Sequence, residues 1–285
     1  MTHCARFLAI CLWASLGAQP ALGEGVEITH LANEGFLLVA GEDKVLVDAL
    51  FPGLRGYPRV PEPLRADLEA AEAPFDGVDL ILATHFHGDH FGAREVARHL
   101  EASTALFVST PDAIEKLEAV SHGPFEAVAH HPAEGERTRL EVSPGLSVTV
   151  LNLHHGRGRP QIQNLGFIIE LGGLKILHVG DTEVSARDIR PYALAGEKID
   201  IALLPGWLLA QQSMRPVVDE IGPARIIAMH LASPDAPANY FGSAGSLEGR
   251  VRLIRRAFPD IWIPITPLAS RHYATLETPA PSEGG

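Results

Sequence analysis

Cysteine is the first thing this chain lacks. Its only two, Cys4 and Cys11, fall within residues 1–23, so a chain processed after Gly23 would carry none. A disulfide framework and a cysteine-rich structural zinc site are then excluded, and stability has to come from core burial. Of 285 residues, the 262 from Glu24 onward are enough for one large core. Basic clusters are missing as well. There are 23 Lys and Arg against 35 Asp and Glu, a formal charge of −12. Without residues 1–23, which hold one Arg and no acid, 22 basic residues face 35 acidic ones, a charge near −13. A nucleic-acid substrate, or broad contact with anionic lipid, is disfavoured, because both lean on cations. There is no internal repeat. The apolar run Phe7–Ala18 has 12 residues, whereas a membrane-spanning helix needs about 20.

That short run has a different meaning. Arg6 places positive charge before it, and Ala21-Leu22-Gly23 follows with small residues at the cleavage positions. Residues 1–23 therefore read as a secretory signal peptide, with an uncleaved anchor as the alternative, and the protein is expected to be periplasmic or secreted. Residues 24–285 read as one catalytic domain. A small molecule is the expected partner, with no stable membrane insertion after cleavage; the oligomeric state stays open.

What is present is concentrated in Leu80–Gly92, LILATHFHGDHFG. His85, His87, Asp89 and His90 crowd into six residues after Val78–Ala83, a short apolar run that reads as a buried strand. Extended backbone alternates faces, so His85 and His87 point the same way at its end. Gly88 lets the chain turn, and Asp89 and His90 follow before a helix at Ala93–Leu100. One ligand pair comes from the strand end and one from the turn, a layout that suits two adjacent ions better than one. An isolated histidine is ordinarily a core or surface residue, but a carboxylate among imidazoles, without cysteine, is the pattern of a catalytic metal site.

Elsewhere the pattern predicts strands at Val26–Leu31, Gly35–Ala40, Lys44–Asp48, Leu146–Leu151, Leu165–Leu171, Leu174–Val179, Lys198–Leu204, Ile226–His230 and Ile261–Ile265. Gly172-Gly173 makes a hairpin turn. Helices are expected at Pro61–Ala73, at Thr110–Val120 with Thr as cap and Pro at its start, and at Gly245–Ala257. The tail from Glu277 reads as disordered. Two loops should flank the site: Phe51–Pro63, with Phe51, Leu54 and Tyr57, and Pro205–Met214, whose Trp207 reads first as packing and second as a substrate wall. Arg157 or Arg159 is a candidate for holding an anionic group, with solvated loop charge the plainer reading.

The motif H-x-H-x-D-H at 85–90 resembles that of the metallo-β-lactamase-fold hydrolases, and the likeness runs in order along most of the chain. Val26–Leu31, Gly35–Ala40 and Lys44–Asp48 look like the opening strands of that fold. Leu153-His154-His155-Gly156 supplies a later histidine, Leu174–Thr182 ends in Gly-Asp-Thr, and Ile226–His230 ends in Met-His. The resemblance implies an α/β protein, a four-layer αβ/βα sandwich. It assigns His85, His87 and one of His154 and His155 to a first metal, Asp89, His90 and His230 to a second, and Asp181 as the bridge. His155 is favoured because it precedes Gly156, where the backbone must turn. His30, His99, His122, His130, His131, His178 and His272 are left to core or surface roles.

Two divalent ions, zinc first and manganese or iron as alternatives, would then lie roughly 3.5–4 Å apart and share a hydroxide. That hydroxide would attack a small ester, lactone, thioester or phosphodiester, with Asp89 as a catalytic residue that orients it or passes its proton. True metallo-β-lactamases have Cys or a non-ligand where this chain has Asp181, so the resemblance turns away from antibiotic hydrolysis. The alternatives are a β-lactamase, a non-catalytic metal-binding or sensing protein, and an iron-dependent oxidoreductase or sulfur-handling relative.

Overall fold

A computed structural model describes residues 25–275 apart from Arg157 and Pro160; the leader assigned to 1–23 and the tail from Glu277 lie outside the described residues. Apolar runs with a period of two build two sheets. The first holds β1 (Val26–Ala32), β2 (Gly35–Ala40), β3 (Asp43–Val47), β4 (Leu80–Leu82), β5 (Leu106–Ser109), β6 (Glu126–Ala129) and β13 (Ser270–Tyr273), in the order β13-β1-β2-β3-β4-β5-β6. The second holds β7 (Arg137–Ser143), β8 (Leu146–Asn152), β9 (Leu165–Leu171), β10 (Leu174–His178), β11 (Ile201–Pro205) and β12 (Arg225–Met229), in the order β12-β11-β10-β9-β8-β7. Each sheet begins with antiparallel hairpins and continues with parallel strands, β3 to β6 in one and β10 to β12 in the other. Parallel neighbours require crossovers. In the first sheet these carry α1 (Leu64–Glu69), α2 (Ala93–Ala102) and α3 (Pro111–Glu118).

Strand alternation sorts the side chains into layers. Leu80 and Leu82 of β4 join Phe36, Leu38 and Val47 in a core shared with Phe167, Ile169 and Ile176 of the second sheet. Ile81 and Phe107 point the other way and pack with Leu68 of α1, Val96 and Leu100 of α2 and Leu117 of α3. The remaining helices, α4 (Ala186–Ile189), α5 (Gly206–Ala210), α6 (Arg215–Ile221) and α7 (Leu247–Ala257), contribute Ile189, Leu208, Val218 and Ile254 to the core around the second sheet. Two facing sheets flanked by helices are the αβ/βα sandwich expected from the sequence.

The differences from that expectation are local. Ile261–Ile265 forms no strand; it makes a single bridge, Trp262 to Ile227, and Pro264 has no N–H to extend it. Pro205–Met214 is not a loop: Pro205 ends β11 and α5 follows at once. Strands β5, β6, β7 and β13 were not located in advance. β6 is four residues long and β13, Ser-Arg-His-Tyr, is a polar, mostly exposed edge strand, so neither shows an apolar period.

This topology brings several strand ends to one edge. Asp48 follows β3, the 84–90 segment follows β4, His154 and His155 follow β8, Asp181 follows β10 and His230 follows β12. Carboxyl ends of parallel strands are where open α/β sheets place their ligands.

Candidate metal centre

The described residues gather two groups of donor atoms around one carboxylate. In the first, His85 Nε2 lies 2.9 Å from His87 Nδ1, and His155 Nε2 lies 3.2 Å from the same atom. Asp181 Oδ2 closes it, 3.3 Å from His155 Nε2 and 3.8 Å from His85 Nε2. In the second, Asp181 Oδ1 is 3.1 Å from His230 Nε2 and 3.3 Å from His90 Nε2, and Asp89 Oδ2 is 3.3 and 3.7 Å from those nitrogens. The structure thus brings together His85, His87, Asp89, His90, His155, Asp181 and His230. His154 is turned away: its backbone φ is +34° and its Nε2 lies 3.8 Å from Glu134 at the surface.

Hydrogen bonds behind these side chains set their orientation. Asp48, fully buried, accepts from the Thr84 N–H and hydroxyl, both at 2.7 Å. It also accepts from His90 Nδ1–H at 2.8 Å, which leaves Nε2 as the ring atom that faces Asp181. Because the Thr84 proton goes to Asp48, its oxygen is free to accept from His85 Nδ1–H at 3.0 Å. One carboxylate therefore fixes the tautomer of a histidine in each group, the outer-contact arrangement that commonly orients metal-binding imidazoles. Asn164 accepts from the Asp181 N–H at 3.0 Å, and the Asn33 amide donates to the Asp89 carbonyl at 3.2 Å. Asn33, Asp48 and His230 all adopt left-handed backbone, with φ of +50°, +44° and +50°. Such conformations persist where the surroundings over-determine them, and they cluster at functional sites.

Charge is distributed unevenly. Burial, helped by His90, pulls His85 well below the usual histidine range; burial and then His155 pull His87 down. Burial opposes charge on His90 too, but Asp181, Glu34 and Asp48 outweigh it and raise it well above that range. For Asp181, burial is outweighed by His230 and His90, which hold the carboxyl well below its ordinary value. Glu34 is fully buried, 3.4 Å from His90 Nδ1, and is pushed well up by burial, against the pull of His90 and with repulsion from Asp181 and Asp48.

The donor set fits a pair of cations. His90 Nε2, His230 Nε2 and Asp181 Oδ1 are buried and lack hydrogen-bond partners although they lie within 3.3 Å of one another's group. Buried polar atoms are rarely left this way. Zinc–ligand bonds of about 2.0–2.2 Å set tetrahedral donors about 3.3–3.6 Å apart, close to the spacings in both groups. The first group offers three nitrogens and an oxygen, the second two nitrogens and two oxygens, and neither contains sulfur.

The sequence model of the β-lactamase superfamily domain matches residues 43–240. The chain belongs to that superfamily. A metal-dependent hydrolase of Pyrococcus furiosus is 30% identical to this superfamily member over 210 residues, 72% of this chain and 84% of its own. One from Polynucleobacter asymbioticus is 31% identical over 221 residues, 70% and 72% of the two chains. Among solved structures, a metallo hydrolase from Ignicoccus hospitalis superposes with a TM-score of 0.57 at 18% identity, covering 88% of this chain and 99% of that one. An isothiocyanate hydrolase from Delia radicum gut bacteria gives 0.59 at 17%, covering 87% and 100%. At those identities the superpositions speak to the fold.

Beside the centre of this superfamily member lies a cavity of about 400 Å³ that includes His230, Tyr57, Trp207, Tyr240, Phe241 and Arg250 in its lining. The Tyr57 and Trp207 rings stand edge-on to His230 at 4.3 and 4.8 Å. Trp207 is also pinned, its Nε1–H donating to the Thr182 carbonyl at 3.0 Å, so it serves as wall and as packing. Phe51 is buried in the outer core and takes no part. Arg159 is exposed and does not line this cavity, and Arg157 lies outside the described residues. His30, His99 and His178 are buried against the carbonyls of Asn33, Leu68 and Glu34. The sequence reading missed Asn33, Glu34, Thr84 and Asn164 as partners of the donors, and Arg250 on the cavity. The one available signal was Asn33-Glu34-Gly35, a polar turn between two apolar strands.

Proposed function

We propose that this superfamily member is an exported hydrolase of a small ester, lactone, thioester or phosphodiester, and that two divalent cations, zinc in the first instance, serve it. It is a metal-dependent hydrolase of the metallo-β-lactamase fold. The observation that carries the two-ion reading is the Asp181 carboxylate, which turns one oxygen to His85 and His155 and the other to His90 and His230. His85, His87, His155 and Asp181 would hold one ion, and Asp89, His90, His230 and Asp181 the other. When bound, the ions supply Lewis acidity, activating a water and polarising the substrate oxygen.

The chain's own residues do the rest. Asp89 stays an ionised acceptor, since His230 and His90 outweigh the burial that would protonate it. Placed beside His230, it orients the attacking water and receives its proton. Asp48 and Thr84 hold His90 and His85 in register. Tyr57 and Trp207 screen the His230 side from bulk water. Burial next to Asp181 and Asp89 pushes the Tyr57 hydroxyl up to about 12, so it remains a donor at neutral pH. Arg6 and the apolar run after it support export.

A panel of lactones, thioesters, phosphodiesters and β-lactams, run with zinc, manganese and iron, tests the reading. Turnover of one of the first three classes, abolished by a chelator and restored by metal, is expected. Metal-loaded protein that turns over none of them would favour a binding or sensing role instead, and β-lactam turnover at the rate of a resistance enzyme would overturn the substrate class.

A further inference from the structure

The cavity beside His230 contains a cation that the proposed reaction does not use. Arg250 lies in the first turn of α7, half-buried, and its side chain lines the cavity along with Tyr57, Trp207 and Tyr240. A guanidinium carries five N–H donors. The hydrogen bond that Arg250 makes is a long one, 3.4 Å from Nη2 to the Tyr240 carbonyl, and among the described residues it pairs with no carboxylate. Arg98, Arg137, Arg139 and Arg190 each hold a glutamate. Burial pulls the Arg250 pKa down from the arginine range, with Tyr57 opposing. A half-buried, underpartnered guanidinium is costly, and an anion in the cavity would relieve that cost.

The rest of the lining narrows the anion. Arg250 is the one arginine or lysine among the described lining residues, and the acid there, Glu183, is exposed. A single planar fork suits a monoanionic carboxylate, bound through two parallel N–H···O contacts, better than a phosphate dianion. The rings of Tyr57, Trp207, Tyr240 and Phe241 form much of the remaining wall, with Met214 and Leu231 adding apolar surface and Gln211 a polar group. A volume of about 400 Å³ is at the small end of ligand pockets.

We infer that Arg250 holds the carboxylate of a small substrate whose apolar or aromatic body lies against Tyr57, Trp207 and Tyr240, with its scissile bond turned toward His230 and Asp181. The assignment rests on the hydrolase reading of the same site. The class is thus a monocarboxylate that also carries a hydrolysable bond. Arg250 acts in specificity: it anchors the end of the molecule that does not react.

Calorimetric titration of the zinc-loaded protein with phenylacetate and with phenylacetamide, alike in shape and different in charge, tests this. The wild type is expected to bind phenylacetate about tenfold or more tightly than the amide, as charge-assisted hydrogen bonds imply. Arg250→Met should erase that preference while leaving phenylacetamide affinity and zinc content unchanged. Arg250→Lys, which keeps the charge and loses the fork, should retain part of it and carries the test if the methionine variant folds poorly. No preference in the wild type, or a preference that survives Arg250→Met, overturns the assignment; in the latter case zinc itself holds the carboxylate. Zinc content and ester turnover of the same preparations report on the hydrolase reading separately. Loss of turnover with the charge preference intact would strike that reading and leave the subsite standing.

Discussion

The two donor groups share Asp181 and Asp48 yet are built on different electrostatics. In the first, three imidazoles contact one another edge-on, with ring centroids 4.6–4.9 Å apart. His87 is partly exposed, and burial keeps His85 and His87 below the ordinary histidine range. Those nitrogens are neutral at pH 7 and ready to bind. The second group is buried, and the carboxyl groups of Asp181, Glu34 and Asp48 around it raise His90. There a proton stands in the position of a cation. The difference teaches that one fold edge can hold two sites of similar composition but opposite proton demand, because what lies behind the donors differs.

Removing what the groups share has the largest effect. Asp181→Ala should lower turnover by about a thousandfold or more, about 4 kcal/mol of lost barrier stabilisation, and should strip metal from both groups, as read by elemental analysis. A variant that loses one ion and keeps half its rate would break the bridging assignment. Next come the contacts behind the donors. Asp48→Asn should weaken the metal bound at the second group by about 10–100-fold, since an amide with one oxygen cannot accept both from the Thr84 N–H, as Oδ1 does, and from His90 Nδ1–H, as Oδ2 does. Thr84→Val removes the hydroxyl that accepts from His85 Nδ1–H and donates to Asp48; with the bond from His90 to Asp48 kept, it should act chiefly on the first group. Equal effects of the two variants on both binding steps would erase the contrast.

The fold and the donors were legible in advance to different degrees. His85, His87, Asp89 and His90 sit within seven consecutive residues from Thr84, just past the end of β4, so local spacing alone placed them in one cluster. Asp181 and His230 end apolar strands, a position that resemblance in chain order made visible. Asn33, Glu34, Asn164 and Arg250 were not, because each acts across a distance that no local period records. Asn164 meets Asp181 from a loop ahead of β9, 17 residues away in sequence. Trp207 was visible as a residue but placed in a loop; in the structure Pro205 closes β11 and Gly206 opens α5.

The third prediction concerns pH. His90 is raised and so carries an extra proton at neutral pH. A cation bound through Nε2 displaces that proton, so affinity at the second group should rise with pH, by about tenfold per unit for one proton, until His90 titrates. His85 and His87 are already neutral, so the first group should show little slope above pH 7. Binding enthalpies measured in buffers of different ionisation enthalpy give the proton count; equal slopes for both steps would contradict the contrast. The smallest effect expected is at the cavity wall. Trp207→Phe loses the bond to the Thr182 carbonyl and should raise KM by about tenfold or less with kcat nearly unchanged, a loss near 1 kcal/mol.

Zinc titration of the metal-free protein, followed by calorimetry with proton counting, tests the central claim most directly. Two equivalents bound in two steps are predicted, the tighter without proton release and the other releasing about one proton. A single equivalent, or two that bind with the same proton count, would contradict a two-cation centre divided at Asp181.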